Sequence, residues 1–274
     1  MPALNSISID KLSRLIGTVA APVLIDIRED RGTELVPASQ PFPAATIADW
    51  SPGLAGRSVV VIDEDGAGAA PGLAAWLRSE EIDSETLEGG FAAWREAGLP
   101  LLSTGHLPGR DAQGRTLWVT RARPKVDRIA CPWLIRRFVD PRARFLFVPA
   151  ADVLETARRF GAAPFDLEHD EVFWTHRGER CTFDLMVEVF GLSAFPALDH
   201  LATIVRGADT ARPDIVPEAA GLLAISLGLS RVHADDLEQL EAGMPIYDAL
   251  YRWCRDARSE THDWTSHKPR EVRA

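Results

Sequence analysis

The sequence has little cysteine and no long apolar run. Its three cysteines, Cys131, Cys181 and Cys254, are widely spaced and form no CxxC pair. A disulfide framework is therefore not expected, and a reducing compartment is favoured. No window approaches the ~18 apolar residues of a membrane span, and the first residues lack the basic and apolar regions of a signal peptide. These absences predict a cytoplasmic protein with no membrane contact.

The chain also lacks a surplus of positive charge. Its formal net charge is -10, which argues against a surface that attracts nucleic-acid phosphates over its whole extent. There is no helix-turn-helix signature, so DNA binding through a local basic patch stays open but is not supported by the net charge. A length of 274 residues with 46% hydrophobic residues predicts a globular protein of two domains.

Residues 5–102 alternate between strand-like and helix-like segments. The continuous apolar runs Pro22–Ile27 and Ser58–Asp63 are typical of parallel strands that are covered on both faces. Helical spacing of apolar residues is found at Ser8–Gly17, Ala69–Ser79 and Phe91–Ala97. This order predicts an α/β domain.

A second domain is expected after residues 103–115, where glycine and proline without periodicity indicate a linker. The pattern of residues 116–258 predicts a mainly α domain with some strand (α+β). A polar tail follows over residues 259–274. Helices are predicted at Asp127–Val139, Ala151–Phe160, Thr182–Gly191, Pro196–Gly207, Pro217–Leu227 and Ala234–Arg258. Strands are predicted at Thr116–Thr120, Arg144–Val148 and Glu171–His176.

The N-terminal domain resembles the rhodanese family. The resemblance is carried by Asp26 and Arg28 in an Asp-x-Arg pattern and by the segment Gly89–Pro100, GGFAAWREAGLP. In that family a catalytic cysteine follows the apolar strand, in a loop of converging amides, but here the matching residue is Asp63. A carboxylate cannot carry a transferable sulfur, so the resemblance implies an inactive sulfurtransferase homologue that serves as scaffold or interaction domain.

The C-terminal domain resembles that of ChrB chromate-resistance proteins. The resemblance is carried by Trp118–Val148, His176–Leu192, Ile204–Asp209, Pro217–Arg231 and Tyr247–Cys254. It implies a role in chromate resistance or oxyanion stress, with chromate or a similar small oxyanion as partner. It supplies no mechanism.

A basic segment opens this second domain. Its candidate anion-binding residues are Arg121, Arg123, Lys125, Arg128, Arg136 and Arg137. Arginine suits bidentate binding of an oxyanion or a phosphate. The alternative is a solvated helix face that pairs with acidic residues elsewhere in the chain.

Histidines and carboxylates after residue 160 form a second candidate site. His176, Asp184, His200 and Asp209 have the ligand types expected for Zn, Mn or Fe, although no compact signature such as HExxH is present. Cys181 precedes a predicted helix start, where a thiolate is favoured, and is a redox candidate. A buried structural cysteine is the alternative.

Three functional hypotheses follow. The first is a sensor or regulator that binds an oxyanion through the basic segment, and the second is a metal-dependent enzyme that uses the histidine–aspartate cluster. The third is an interaction scaffold that binds neither an oxyanion nor a metal. The helical stretch Leu237–Trp253 is compatible with a homodimer contact and equally with packing in the core.

Overall fold

The structure is a computed structural model that describes residues 5–260. The strands of its N-terminal part are β1 (Ser6–Ile7), β2 (Val23–Asp26), β3 (Glu34–Leu35), β4 (Ser39–Pro41), β5 (Val59–Ile62), β6 (Ser84–Leu87) and β7 (Leu102–Ser103). The helices are α1 (Ile9–Leu15), α2 (Ile47–Trp50), α3 (Ala70–Ser79) and α4 (Gly90–Glu96).

A five-stranded parallel sheet forms the centre of the N-terminal part. Its strand order is β1-β6-β5-β2-β4, and every residue of β2 and β5 is buried, as their continuous apolar runs predict. The short strands β3 and β7 pair separately and antiparallel. The predicted α/β fold class is confirmed. Strand β6 was missed because its sequence, SETL, has one apolar residue.

The C-terminal part is mainly helical. Its strands are β8 (Leu117–Arg121), β9 (Arg144–Val148) and β10 (Ala163–Pro164). Its helices are α5 (Asp127–Leu134), α6 (Val153–Phe160), α7 (Thr182–Val189), α8 (Pro196–Asp209), α9 (Glu218–Val232) and α10 (Asp236–Asp256). The strands form a parallel sheet in the order β10-β8-β9. The helices and this small sheet together confirm the predicted mainly α fold with some strand.

Two local predictions differ from the structure. Glu171–His176 is not a strand, because its residues form turns and bends. Trp174 makes an isolated bridge with Phe165, which lies outside the segment. Helix α9 continues through Gly228 to Val232, beyond the predicted end at Leu227, because a single glycine inside a helical pattern is tolerated.

The two parts share one hydrophobic core. A single cluster of buried side chains includes Leu12 of α1 and Ile16 just after it, together with Trp133 and Phe138. The Phe138 carbonyl accepts a hydrogen bond from the Ala38 amide at 2.6 Å.

The helices within residues 5–260 are each too short or too polar to span a bilayer.

Candidate functional site

Three segments bring acidic side chains to one imidazole in the C-terminal part. The Nε2 atom of His176 lies 3.2 Å from a carboxylate oxygen of Asp166 and 3.3 Å from one of Asp209. It lies 3.7 Å from a carboxylate oxygen of Asp127. Asp127 and Asp166 are buried, while the His176 side chain is 41% exposed. The cluster therefore opens to solvent on its histidine side. We call these four residues the His–Asp cluster.

Asp127 is fixed by the start of α7. Its carboxylate accepts the amides of Thr182 at 2.7 Å and Phe183 at 3.1 Å. These amides are among the first N–H groups of α7, which have no partner inside their own helix. Both oxygens of the Asp127 carboxylate thus cap α7, Oδ1 by accepting the Phe183 amide and Oδ2 by accepting the Thr182 amide, and Oδ2 also lies toward His176.

The backbone before Asp127 is strained. Val126 has a φ of +33°, a genuine outlier for a β-branched residue. It is held by the Ser226 hydroxyl, which accepts its amide at 2.8 Å, and by the Tyr247 hydroxyl, which donates to its carbonyl at 2.8 Å. Such strain persists where surrounding contacts over-determine it, and it often marks functional sites.

Asp166 also has left-handed backbone, with a φ of +50°. Its carboxylate lies 3.2 Å from a guanidinium nitrogen of Arg121 and 3.2 Å from one of Arg128. It also accepts the Thr182 hydroxyl at 3.3 Å. Two of the predicted anion-binding arginines are therefore turned toward the His–Asp cluster.

The crowded charges shift the proton affinities of the cluster. Burial, followed by the charges of Asp209 and Asp166, raises the pKa of Asp127 well above its usual range. Contacts with Asp166 and Asp209 raise the pKa of His176 to about 10. Burial works against ionisation of Asp166, but His176, Arg128 and Arg121 together lower its pKa. In the metal-free protein His176 is thus a cation that partly neutralises three carboxylates.

The donor set fits a divalent metal ion. One ligand atom each from Asp127, Asp166 and His176 lie within 4.8 Å of one another. Atoms bound to one Zn, Mn or Fe ion at about 2.0–2.2 Å have comparable mutual separations. An open cavity of about 600 Å³ adjoins them and is lined by Arg121, Asp166 and His176 among others.

Two residues of the predicted metal set lie elsewhere. The Asp184 carboxylate accepts the Cys181 amide at 3.0 Å and pairs with Arg206 at 2.9 Å, so it caps α7. The His200 ring packs on Trp253 with 5.7 Å between centroids. Burial and nearby Arg258 lower the pKa of His200. Of the predicted set, the structure brings together only His176 and Asp209.

Sequence reasoning missed Asp127 and Asp166. Asp127 stands within the basic segment and reads as ordinary charge at a helix start. Asp166 stands close to Glu168 and Asp170 in sequence, and nothing in the local pattern distinguishes it from them. The contact between Asp127 and the amide of Thr182 joins positions 55 apart in sequence, and no local pattern predicts it.

The basic segment does not form one surface. Arg136 pairs with Glu241 at 2.6 Å, and Arg137 pairs with Asp248 at 2.8 Å. Arg123 donates to the Asp236 carboxylate through its amide and to the His233 carbonyl through its guanidinium. Lys125 borders a separate cavity. Three of its six side chains, those of Arg123, Arg136 and Arg137, therefore pair with acceptors of α9 and α10, whereas those of Arg121 and Arg128 pair with Asp166.

Cys181 is fully buried. Burial raises the pKa of its thiol well above the ordinary value, and the charges of Asp127 and Asp184 act in the same direction. The expected thiolate at a helix start is thus disfavoured, because desolvation and two carboxylates outweigh the helix dipole.

In the N-terminal domain, Asp63 is buried at the end of β5 and accepts hydrogen bonds from its own loop. Its two carboxylate oxygens accept the amides of Gly66 at 2.7 Å and Ala70 at 2.9 Å. The amides that would otherwise face an anion at this loop are thus turned to the side chain of Asp63.

Comparisons with known proteins match both parts of the chain. The family model described as ChrB, C-terminal domain, matches residues 118–254. Protein ChrB of Cupriavidus metallidurans is 36% identical over 151 residues, which are 54% of this chain and 44% of that protein. The chain thus spans less than half the length of this relative.

Solved structures similar to this chain include a rhodanese-related protein and a thiosulfate sulfurtransferase. A rhodanese-related protein from Thermoplasma volcanium is 21% identical, with 36% of this chain and 97% of that chain covered and a TM-score of 0.32. A thiosulfate sulfurtransferase from Pseudomonas aeruginosa is 17% identical, with 54% and 36% covered and a TM-score of 0.32.

Proposed function

Because the chain belongs to the ChrB family through its C-terminal domain, we propose that it acts in chromate resistance through a divalent-metal centre at the His–Asp cluster. The observation that carries this proposal is the approach of three carboxylates to one imidazole nitrogen within 3.7 Å. Three carboxyl groups this close are all ionised together only when a cation lies among them. In the metal-free protein that cation is protonated His176.

The residues around the cluster support metal binding. The amides of Thr182 and Phe183 orient the Asp127 carboxylate, and the guanidinium groups of Arg121 and Arg128 orient that of Asp166. Outer contacts of this kind position metal ligands in proteins. Imidazole with several carboxylates suits Zn, Mn or Fe, and a bound ion would supply Lewis-acid positive charge at the cavity.

Arg121 gives the cavity a role in anion binding. Its side chain is 40% exposed, and it lines the cavity beside Asp166 and His176. Its guanidinium can hydrogen-bond an oxyanion that enters from solvent. We therefore place chromate, or a similar small oxyanion, next to the metal centre rather than along the whole basic segment.

A second candidate function is oxyanion sensing without turnover. It is favoured by a surface cavity of about 330 Å³ lined by Arg136, Arg137, Arg142 and Arg144. Two of these arginines are paired with carboxylates, so the metal centre remains the stronger proposal. In both cases the rhodanese-like N-terminal domain is proposed to be catalytically silent, since Asp63 satisfies the amides of its own loop.

A growth assay tests the proposed function. In a bacterial strain that has lost the corresponding gene, the wild-type chain and His200→Gln are expected to restore growth on chromate. His176→Gln is expected to fail at equal protein level, because only His176 belongs to the cluster. Equal growth with both variants would contradict a role for the cluster in resistance.

A further inference from the structure

Helix α9 exposes apolar residues and buries polar ones. Ile225 is 47% exposed and Leu227 46% exposed, whereas Ser226 and Ser230 are buried. The buried serines have specific partners: the Ser226 hydroxyl accepts the Val126 amide at 2.8 Å, and Ser230 accepts the Arg123 guanidinium. The apolar side chains, in contrast, are left about half exposed by residues 5–260. An exposed apolar face of this kind marks an interaction site.

Small residues run along the middle of this face. Gly221, Ala224 and Gly228 are exposed, and a Cβ at either glycine would meet no atom within 4 Å. Ile225 and Leu227 stand on either side, so the face has a shallow central groove. Such a surface lets a second helix approach closely.

The charges on α9 indicate which helix fits there. Between Glu218 and Arg231 the helix carries no charged residue, and neither end residue has an ion pair within residues 5–260. A two-fold axis midway between Ala224 and Ile225 would pair Glu218 of one copy with Arg231 of the other, in both directions. The same axis would place Gly221 of one copy opposite Gly228 of the other.

Charged residues near the two ends of α9 extend this complementarity. A cavity of about 550 Å³ lies at the C-terminal end of α9, lined by Arg123, Lys125 and Arg231 among others. Asp214 is exposed just before the N-terminal end. Antiparallel packing of two copies therefore brings an acidic end to a basic end twice.

From these observations we infer that α9 is a dimerisation face on which a second copy of this chain packs its own α9 antiparallel, about an axis between Ala224 and Ile225. Self-complementary patches of this type form closed two-fold dimers. Helix α10 contains the stretch for which the sequence left a dimer contact and core packing equally open, and its Leu240, Met244 and Tyr247 lie in the core.

Disulfide trapping tests the position of the axis. The described cysteines are all buried, so Ala224→Cys introduces an accessible thiol close to the same residue of the second copy. Under mild oxidation we expect Ala224→Cys to form a covalent dimer. Val19→Cys, on a residue that is 77% exposed and distant from α9 in sequence, is expected to stay monomeric on a denaturing gel. Equal cross-linking of the two variants would overturn the assignment.

A charge exchange tests the antiparallel pairing. Sedimentation of the full chain is expected to show a dimer for wild type, with the dissociation constant raised about tenfold or more by Glu218→Arg or Arg231→Glu alone. The double variant is expected to regain the wild-type value, which no other occupant of the face would produce. A monomeric wild type, or a double variant weaker than both single ones, would overturn the inference. Folding of each variant is checked by circular dichroism.

Discussion

At the scale of single residues, His176 links the His–Asp cluster to pH. Its pKa in the folded protein is about 10, against about 6.5 for an unperturbed histidine. Folding therefore favours the protonated form. The resulting stabilisation is fully present below about pH 6.5 and is lost as pH rises through the folded pKa.

This linkage predicts a pH-dependent difference between two metal-free proteins. The urea midpoint of the wild type should fall more steeply between about pH 6.5 and 10 than that of His176→Gln, which has no proton to lose. The raised pKa of Asp127 acts in the same direction and is shared by both proteins. Parallel profiles of the two proteins would contradict the assignment of His176 as the cation among the carboxylates.

Asp63 gives a second residue-scale prediction. Asp63→Ala should lower the free energy of unfolding by about 1–3 kcal/mol, because the Gly66 and Ala70 amides lose their acceptor. Asp65→Ala is the matched control, since Asp65 accepts two amides of the same loop at the exposed surface and water can replace it. Urea denaturation measures both, and an equal loss in the two variants would argue against a buried structural role for Asp63.

Single residues also show where sequence reasoning reaches its limit. His176 and Asp209 were predictable because imidazole and carboxylate are metal-ligand types and stand in an otherwise helical region. Asp184 was predicted for the same reason, yet it caps α7. The sequence alone does not distinguish an aspartate that caps a helix from one that binds a metal. Asp127 depends on strained backbone at Val126 and on amides of a distant helix, neither of which a local pattern encodes.

At the scale of elements, close approach of α10 to α5 depends on one glycine. A Cβ on Gly243 would lie 2.6 Å from Cγ2 of Ile129, which is too close for the two helices to keep their positions. Because Ile129 is only two residues after Asp127 on α5, this packing also supports the His–Asp cluster.

Substitution of this glycine tests the packing. Gly243→Ala should destabilise the protein by about 1–3 kcal/mol through overpacking. Gly72→Ala on α3, where an added Cβ meets no atom within 4 Å, should instead stabilise by about 0.5–1 kcal/mol. Thermal denaturation of both variants distinguishes them, and a stabilised Gly243→Ala variant would contradict the contact.

Elements were predictable wherever their apolar period was clear. The buried strands β2 and β5 and the long helices of the C-terminal part follow from it directly. Strand β6 was not predictable, because SETL gains its strand character from pairing with β5 and β1 and not from its own side chains.

At the scale of the whole molecule, the two parts are joined through Phe138. A Cβ on Gly17 would lie 2.2 Å from the Phe138 ring, so α1 ends directly against it. The Ser103 amide donates to the Phe190 carbonyl at 3.0 Å, and Arg255 donates to the Arg14 carbonyl at 2.9 Å. The glycine- and proline-rich stretch at 103–115 predicted two units but gave no sign of these contacts.

A shared core predicts that both parts unfold together. Urea denaturation should give one transition, with tryptophan fluorescence and far-UV circular dichroism coinciding. Phe138→Ala should lower the free energy of unfolding by about 3–5 kcal/mol, and both probes should report the same loss. Two separated transitions in the wild type would contradict a core common to both parts.

Metal content of the whole protein tests the central proposal most directly. The full chain, purified without a tag after growth with added Zn, Mn or Fe, is analysed by elemental mass spectrometry. We expect about one equivalent of metal in the wild type and in His200→Gln, and close to none in His176→Gln and Asp166→Asn, which each lose one of the three donors. Wild-type protein that holds no metal under any supply, or cluster variants that keep it, would contradict a metal centre at the His–Asp cluster.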